Sequence, residues 1–244
     1  MRKLAGRRPL TLSIDIGGSH LKAAVLDARG RQVTERVKIK TPRPATPAAV
    51  YRALRKLIRE VPRFDRVSLG FPGVIVDGRV MNEPPNLHPS WLGLDLERRM
   101  RALTGRPVRV ANDADVQGLG VVEGRGVELV LTLGTGVGSA LFLDGQLIPN
   151  LELGHHPWRD GKTYEELLGE RALERIGKRR WNRRLREAVE TLQKAFNPRR
   201  LYLGGGNSRL VRRPPPRGVK IVSNLAGVLG GIRLWEKKGP RALR

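Results

Sequence analysis

Apolar and polar residues alternate along the chain with two different periods, and each period predicts one kind of element. Short apolar runs rich in Val, Leu and Ile recur at eight places, separated by polar residues, Gly and Pro. Runs of this length and composition predict β-strands. The eight predicted strands cover residues 10–16, 21–26, 67–71, 108–111, 129–133, 139–143, 201–203 and 219–222.

Two longer segments instead show the three- and four-residue spacing of an amphipathic helix. Residues 46–61 begin with Thr46 as a candidate N-cap and Pro47 at the first helical position, where proline is favoured. Residues 178–196 carry an apolar stripe at steps of three and four residues. Off that stripe lie five arginines: Arg179, Arg180, Arg183, Arg184 and Arg186. We therefore expect this second helix to have one core-facing side and one strongly basic side.

The alternation of strands and helices predicts an α/β fold. Two predicted β-hairpins with glycine-rich turns, one in each half of the chain, suggest two lobes built alike. We expect an N-terminal α/β lobe over residues 1–109, with the first hairpin. A C-terminal α/β lobe over residues 110–244 is expected to contain the second hairpin and the basic helices. A last helix, at about residues 225–238, is expected to pack back on the first lobe.

Charge changes this picture, because the chain is strongly basic. Of the 244 residues, 47 are Lys or Arg and 23 are Asp or Glu, so the net charge is +24. Such a surplus exceeds what solubility requires and indicates a polyanionic partner, phosphate polymers above all. A GC-rich genome or a heat-adapted host would also favour arginine, and much of the charge would then be solvated surface without a partner.

Residue types that are missing exclude several kinds of chemistry. The chain has no Cys and four His, so disulfides, thiolate zinc sites and a cysteine nucleophile are excluded. The basic N-terminus is interrupted by Asp15 and glycines too early for a signal peptide, and no apolar run reaches the length of a membrane span. We therefore expect a cytoplasmic protein without a membrane partner.

Two glycine-rich turns have the residue types that bind phosphate. The first turn and its flanking strands contain Asp15, Gly17, Gly18, Ser19 and Lys22. Backbone N–H groups, a hydroxyl and an ammonium suit a phosphate, and a carboxylate beside them can hold hydrated Mg²⁺. The alternative for this segment is a tight hairpin with polar surface residues. The second turn repeats the pattern with Gly134, Thr135, Gly136 and Gly138.

Polar side chains at strand ends and in loops form a second group of candidates. A predicted strand leads into Asn112 and Asp113, and strand ends that border a cleft are where α/β proteins place functional carboxylates. Asn and Asp also cap helices, and for Asp115 the N-cap role is the preferred interpretation. The remaining candidates are Asn86 in a proline-stiffened loop, Glu152 and His155 three residues apart, and Gly204, Gly205 and Gly206. The three glycines permit close approach of a ligand or of another backbone.

Seven short motifs follow one another from about Leu12 to Trp235: DIGGS, FPG, EPPNL, ANDAD, LGTGVGS, ELGHH and LGGGN. In order and spacing they resemble the sugar kinases of the ROK family (repressors, open reading frames and kinases), and most of all its polyphosphate-dependent glucokinases. The resemblance implies a two-lobed, actin-like ATPase fold of the ribonuclease H-like type, with a cleft between the lobes. It also implies phosphoryl transfer to a hexose hydroxyl, and a homodimer.

The resemblance assigns the sugar site residue by residue. Asp113 would be the general base and Gly73 would line the sugar. Glu165 or Glu166 lies roughly where zinc-bearing relatives offer a further sugar ligand, and Glu165 is the candidate. The sugar hydroxyls would be held by Asn86, Asn112, Asp113, Glu152 and His155.

The resemblance also assigns the phosphate sites. The turn with Gly17 and Gly18 and the turn with Gly134 and Gly136 would form the first and second phosphate sites, with Mg²⁺ near Asp15. The glycines 204–206 would lie near the nucleotide if ATP is used. Many relatives carry a Cys-rich zinc motif after the His, whereas this chain has HPWRDGKTYEELLGE, so no zinc is expected.

The expected activity is transfer of a phosphoryl group from inorganic polyphosphate to the 6-hydroxyl of glucose, with Mg²⁺ as cofactor and ATP as a poorer or inactive donor. An ATP-dependent hexose kinase of the same family is the alternative. A non-enzymatic nucleic-acid-binding protein is the rival from another class. Repressor members carry a helix-turn-helix segment ahead of the kinase-like part, and only about ten residues precede the first strand here. No nucleic-acid partner is therefore expected.

Overall fold

The computed structural model describes residues 9–222 and 226–236, and the chain divides into two compact units. The division falls between Ala111 and Asn112, close to the boundary expected from the sequence. Each unit has its own apolar core. Among the described residues, no helix has both the length and the apolar character that crossing a bilayer requires.

Within the described residues, seven strands belong to the first unit. They are β1 (Thr11–Ile16), β2 (His20–Leu26), β3 (Val37–Lys40), β4 (Arg66–Phe71), β5 (Ile75–Val76), β6 (Arg79–Val80) and β7 (Val108–Asn112). Five of them form a sheet in the order β3-β2-β1-β4-β7, while β5 pairs with β6 separately. Strand β1 is antiparallel to β2 and parallel to β4. The first predicted glycine turn joins β1 to β2.

Two helices share the core of this unit: α1 (Pro47–Arg59) and α2 (Leu96–Thr104). Helix α1 begins as the sequence predicts, because the Thr46 hydroxyl accepts the Ala49 N–H at 3.3 Å. Periodicity does not indicate α2, since its buried stripe consists of Leu96 and Met100. Its end is marked instead by Gly105, which adopts a left-handed conformation (φ 62°).

The second unit repeats this sheet. Its described strands are β8 (Val127–Leu133), β9 (Val137–Leu143), β10 (Gln146–Ile148), β11 (Pro157–Arg159), β12 (Lys162–Thr163), β13 (Arg200–Gly204) and β14 (Val219–Ile221). The sheet order is β10-β9-β8-β13-β14, and β11 pairs with β12. Strand β8 is antiparallel to β9 and parallel to β13, as β1 is to β2 and β4. The expectation of two lobes built alike is confirmed.

The described helices of the second unit are α3 (Asp113–Leu119), α4 (Tyr164–Leu168), α5 (Glu170–Phe196) and α6 (Ala226–Arg233). The predicted apolar stripe of α5 faces the core, where Trp181 and Leu185 are buried. The helix begins at Glu170 rather than at residue 178. Its two segments meet at Gly177, whose backbone is not helical (φ 75°, ψ 159°), and the sequence pattern marks only the longer segment.

Helix α3 is packed against both β9 and α6. Gly118 lies on the ring of Phe142, where a Cβ would come within 2.5 Å of the ring. Against α6, a Cβ on Gly230 would overlap the carbonyl oxygen of Val116, so the two helices are in backbone contact. The last helix thus has a packing partner in its own unit. Its expected packing on the first lobe stays a prediction, and residues 225, 237 and 238 lie outside the described residues.

Candidate active site

Asn112 ends β7 and is the N-cap of α3. Its Oδ1 accepts the N–H groups of Ala114 at 2.8 Å and of Asp115 at 3.4 Å. Its Nδ2 donates to Glu152 Oε1 at 3.1 Å. The N-cap role expected for Asp115 is therefore wrong. The strand continues to Asn112, one residue beyond the predicted end, and the helix begins at Asp113.

Asp113 is the first residue of α3, and it is partly exposed. Its Oδ1 accepts the N–H of Ala114 at 2.8 Å, which orients the carboxylate at the end of β7. An oriented and accessible carboxylate can accept a proton from a substrate hydroxyl.

Asp115 has the same side chain in the opposite environment, since only 2% of its surface is exposed. The N–H of Asn150 reaches its Oδ2 at 3.5 Å, and its Oδ1 has no hydrogen-bond partner among the described residues. The pKa of Asp115 is raised to about 8, mainly by burial. The Asn150 N–H acts to lower this pKa, and the negative charges of Glu152 and Asp113 act to raise it. The Asp115 carboxyl is therefore mainly neutral at neutral pH.

Glu152 joins Asn112 to His155. Its Oε2 lies 3.5 Å from His155 Nε2, while its Oε1 accepts from Asn112. Burial raises the pKa of Glu152, His155 lowers it, and the charge of Glu165 raises it again. Asn112, Glu152 and His155 therefore form one contact chain of groups that can bind sugar hydroxyls. The structure brings together these three of the predicted sugar ligands, next to Asp113.

Val137, the first residue of β9, connects the turn that presents His155 to the second glycine turn. A Cβ on Gly154 would overlap the Val137 carbonyl oxygen, so the turn that presents His155 lies directly on β9. The Val137 N–H donates to Glu165 Oε2 at 3.1 Å. That carboxylate fills the space of a side chain on Gly136, where a Cβ would lie 2.9 Å from the Glu165 Cδ. Glu165 therefore contacts the second turn.

The second glycine turn is held by distant segments of its own unit. The Gly134 N–H donates to the Gly136 carbonyl at 3.0 Å, and Thr135 is exposed at the tip. The Gly134 carbonyl accepts the N–H of Glu170 at 3.0 Å and the Nδ2 of Asn207 at 3.2 Å. Asn207 belongs to the LGGGN motif, in which the sequence analysis marks only the glycines as candidate site residues.

Gly138, just after the turn, is required for packing. A Cβ there would lie 2.9 Å from the Cβ of Ala114 and 2.5 Å from Thr132 Oγ1. The absence of a side chain lets α3 lie close to β9, which sets the position of the helix that begins at Asp113.

The glycine run 204–206 divides into different roles. Gly204 is the last residue of β13 and has ordinary space around it. Gly205 has φ 82°, and a Cβ there would lie 2.7 Å from the carbonyl carbon of Leu133, so its close neighbour is another backbone. Gly206 is exposed and has nothing within 4 Å of its Cβ position. Only Gly206 borders open space of the kind a ligand needs.

The segment after His156, in which no zinc motif was expected, begins with a small hairpin held by aromatic rings. Strands β11 and β12 pair around Asp160 and Gly161, which have φ 52° and 71°. Trp158 on β11 stacks on Tyr164, the first residue of α4, with centroids 5.0 Å apart and planes 10° apart. Helix α4 in turn presents Glu165. Among the described residues, no three His, Asp or Glu side chains are grouped to hold a metal ion.

In the first unit, Asp15 and Lys22 pair across β1 and β2, with Lys22 Nζ 3.0 Å from Asp15 Oδ2. About a third of each side chain is exposed. Magnesium in phosphate-transfer sites is usually held by one or two carboxylates, with water and substrate phosphates as the other ligands. Asp15 fits that pattern, and Lys22 beside it fits a phosphate oxygen.

Two residues that the sequence pattern does not mark support the first glycine turn. Thr41 Oγ1 donates to the Gly17 carbonyl at 2.6 Å, and the Arg43 guanidinium donates to the Gly18 carbonyl at 3.0 Å. Ser19 is exposed at the turn. Local patterns miss these contacts because the partners are 24 and 25 residues apart in sequence.

Asn86 lies against this turn, since a Cβ on Gly18 would come within 2.6 Å of the Asn86 Cβ. Gly73 is buried, and a Cβ there would lie 2.9 Å from Asn82 Oδ1, which accepts the Val74 N–H at 2.8 Å. The structure thus places Asn86 beside the first phosphate-type turn, and it leaves no room for a side chain at Gly73.

Comparison with known proteins decides the family. The family model described as the ROK family matches residues 11–164. The chain belongs to the ROK family. The resemblance carried by the seven motifs is thereby confirmed.

Two similar proteins are polyphosphate glucokinases of mycobacteria. The Mycobacterium leprae protein is 32% identical over 236 residues, which cover 89% of this chain and 72% of the relative. The Mycobacterium tuberculosis protein of strain H37Rv is 31% identical over 234 residues, which cover 89% of this chain and 88% of the relative.

Solved structures confirm the two-lobed, actin-like ATPase fold. The inorganic polyphosphate/ATP-glucomannokinase from Arthrobacter sp. strain KM has a TM-score of 0.84 and 34% identity, covering 92% of this ROK chain and 97% of that one. A ROK family glucokinase from Streptomyces griseus, solved with glucose and AMPPNP, has a TM-score of 0.75 at 23% identity, covering 92% and 98% of the two chains.

Proposed function

We propose that this ROK-family protein is a polyphosphate glucokinase, which transfers a phosphoryl group from inorganic polyphosphate to the 6-hydroxyl of glucose. The observation that carries the proposal is the position of Asp113 beside the contact chain of Asn112, Glu152 and His155. An accessible proton acceptor thus lies next to hydroxyl-binding groups, in a chain similar over 89% of its length to polyphosphate glucokinases.

The sugar-binding residues act by positioning and by moving one proton. Phosphoryl transfer requires little covalent work from the protein. Asp113 accepts the proton of the 6-hydroxyl as that oxygen bonds to the terminal phosphorus, a contribution of roughly 10² to 10⁴ in rate for a well-placed base. The bond from this phosphorus to the bridging oxygen breaks, and the polyphosphate chain leaves one phosphate shorter. Glucose hydroxyls bind Asn112, Glu152 and His155. The repulsion between the Glu152 and Glu165 carboxylates helps to raise the pKa of Glu152. A glucose hydroxyl that donates a hydrogen bond to Glu152 offsets this repulsion.

The two glycine turns and the first-unit ion pair suit the phosphates. In the first unit, Lys22 would bind a phosphate oxygen and Asp15 would hold Mg²⁺. In the second unit, N–H groups of the turn at Gly134 and Gly136 bind phosphate oxygens. Mg²⁺, when bound, neutralises the negative charge on the donor phosphates.

The charge of the protein favours polyphosphate as the donor. A nucleotide brings about three or four negative charges, which one Lys, backbone amides and Mg²⁺ can neutralise. A polyphosphate chain brings about one charge per phosphate over many units, and it binds more tightly to a protein with surplus Arg and Lys. The net charge of +24 supplies that surplus. An ATP-dependent kinase is the second candidate, favoured by the open space at Gly206 and by the dual donors named for the Arthrobacter relative.

A matrix of donors and sugars tests the proposal. Initial rates are measured with polyphosphate and ATP, each against glucose and mannose, at saturating Mg²⁺. We expect polyphosphate with glucose to give the highest kcat/KM, with ATP poorer or inactive. Faster turnover with ATP at saturation would make this protein an ordinary ATP-dependent glucokinase. The absence of sugar phosphorylation with every donor would contradict the kinase assignment itself.

We further propose a homodimer in the cytoplasm as the working form. Light scattering coupled to size-exclusion chromatography tests the assembly state, and fractionation of the host cell tests the location. A monomer at all concentrations, or enzyme in the membrane or extracellular fraction, would contradict this.

A further inference from the structure

Two amide side chains on α5 hold the segment 210–217 against the helix. Asn182 Nδ2 donates to the Leu210 carbonyl at 3.0 Å, and Asn182 Oδ1 accepts the Arg212 N–H at 2.6 Å. Farther along α5, Gln193 Nε2 donates to the Arg217 carbonyl at 2.8 Å. With a rise of about 1.5 Å per residue, Asn182 and Gln193 are roughly 16 Å apart. The segment therefore follows the helix over that length.

These contacts bring two basic stretches of the sequence side by side. Asn182, Arg186 and Gln193 lie on one stripe of α5, so Arg186 lies between the two contacts with the segment. Seven exposed arginines are here called the basic strip: Arg179, Arg183 and Arg186 on α5, Arg209 just before the segment, and Arg212, Arg213 and Arg217 in it. Arg171, Arg175 and Arg180 of α5 are also exposed but are not counted in the strip. Arg184, expected on the basic face, is only partly exposed, and its Nη1 is buried without a hydrogen-bond partner among the described residues.

The charges of the basic strip are not neutralised within the described part of the chain. The ion pairs found there involve other basic residues. After Gly177, the acidic residues of α5 are Glu187 and Glu190, and Glu187 lies 2.8 Å from Arg159. The strip therefore offers its positive charge to a ligand.

The basic strip starts at the second glycine turn. Asn207 donates to the Gly134 carbonyl, and Arg209 follows within the same 3-10 turn, Gly206–Leu210. Helix α5 begins at the same place, since the Glu170 N–H donates to the same carbonyl. Both elements of the strip thus lead away from the proposed phosphate site.

We propose that the basic strip binds the part of a polyphosphate chain that lies beyond its reacting end. This inference rests on the proposed function, because it concerns the same donor. Each phosphate held by an arginine releases counterions, so contacts along the strip add affinity for long chains. Polyphosphate fits better than single-stranded nucleic acid, whose bases stack on exposed aromatic rings. In the described part of α5, Trp181 is fully buried and Phe196 packs on the core.

The test compares two variants that lose the same charge. The strip variant is Arg186→Gln, Arg212→Gln and Arg213→Gln combined. The control is Arg52→Gln, Arg55→Gln and Arg59→Gln on α1, whose arginines are also exposed. Circular dichroism and Tm confirm that both fold. Glucose phosphorylation is then measured with tripolyphosphate and with long-chain polyphosphate over a series of salt concentrations.

We expect the native protein and the control to have a lower KM for long-chain polyphosphate than for tripolyphosphate. The strip variant should raise the KM for the long chain about tenfold or more, and it should flatten the slope of log KM against log salt by about 0.7 for each lost contact, by analogy with single-stranded nucleic acid. A strip variant that keeps the native ratio of the two KM values would overturn the proposal. So would a control that loses the ratio equally.

Direct binding separates this inference from the proposed function. Calorimetry with long-chain polyphosphate, without glucose, should show weaker binding by the strip variant than by the control. If the strip variant binds polyphosphate more weakly while neither the native protein nor any variant phosphorylates glucose, the proposed function is wrong and the polyphosphate-binding role of the basic strip is supported. If the native protein binds a single-stranded oligonucleotide of matched charge as tightly as polyphosphate, the strip is a nucleic-acid site and the proposal is overturned.

Discussion

Asp113 and Asp115 lie two residues apart on α3, yet their surroundings give them different chemistry. Asp113 is partly exposed and its Oδ1 accepts one backbone N–H. Asp115 is almost fully buried, and burial is the main cause of its raised pKa. An accessible carboxylate can take a proton during turnover, whereas a buried carboxyl that is already protonated at neutral pH cannot.

Asp113→Asn should therefore lower kcat by roughly 10² to 10⁴, because the amide keeps the size and the hydrogen bond but cannot accept a proton. Glucose affinity should change little. Asp115→Asn should have a much smaller effect on kcat, since an amide resembles a neutral carboxyl. Steady-state kinetics and calorimetry measure both. If both variants bind glucose and Asp115→Asn is the inactive one, Asp113 is not the base.

The pH dependence of stability should also reveal the raised pKa of Asp115. Its pKa is about 8 in the folded protein and near the ordinary 3.8 when unfolded. Between these values unfolding releases a proton, so the Asp115 contribution lowers stability as pH rises, by at most about 1.4 kcal/mol per pH unit. Below pH 4 and above pH 8 the contribution is constant. The Tm of Asp115→Asn, relative to the native protein, should rise from pH 4 to pH 8 and then level off. Parallel Tm curves would rule out the buried neutral carboxyl.

At the scale of elements, the β11–β12 hairpin follows directly on the turn that presents His155. Stacking of Trp158 on Tyr164 connects this hairpin to α4, and the Glu165 carboxylate of α4 accepts the Val137 N–H beside the second turn. The loop is thus held by apolar contact, and the position of Glu165 depends on it.

Trp158→Ala should lower the free energy of unfolding by about 1 to 3 kcal/mol, because it removes the stacked ring and the apolar area it covers. It should also weaken glucose binding through Glu165. Trp158→Phe is the matched control that keeps a ring. A chelator should leave the Tm of the native protein unchanged, and elemental analysis should find no stoichiometric zinc. About one tightly held zinc per chain would show that a metal supports this loop.

The sequence predicts those elements whose signal is local. The strands that flank both glycine turns are short apolar runs, which the sequence shows directly. Thr46 marks the start of α1 because threonine is a favoured N-cap residue. The turn β11–β12 and helix α2 escape detection, because short elements give too few residues to establish a period. The glycine-rich motifs locate both turns, but their supporting contacts do not follow from pattern. Asn207 and Asn182 bond to backbone 73 and 28 residues away in sequence.

At the scale of the whole molecule, charge should decide how stability responds to a ligand. The net charge of +24 makes the folded chain repel itself, and salt screens this repulsion. A polyanion that binds the folded state stabilises it by about 2.7 kcal/mol at a hundred times its Kd, which corresponds to a Tm increase of roughly 5 to 10 °C for a chain of this size.

Long-chain polyphosphate should therefore raise Tm at low salt, and the increase should shrink as sodium chloride is added. Tripolyphosphate at the same total phosphate concentration should give a smaller increase. Thermal unfolding followed by circular dichroism measures both. An equal increase with both phosphates, unaffected by salt, would mean that no extended surface takes part.

The backbone contact between Val116 and Gly230 has a consequence for synthesis on the ribosome. Helix α3 emerges about a hundred residues before α6, an interval of roughly 5 to 20 seconds at ordinary rates of translation. During that interval α3 lacks α6, one of the elements that it packs against. A prematurely terminated chain therefore keeps the proposed base but lacks the contact that packs its helix against α6, so we expect little phosphoryl transfer before the whole chain has been made.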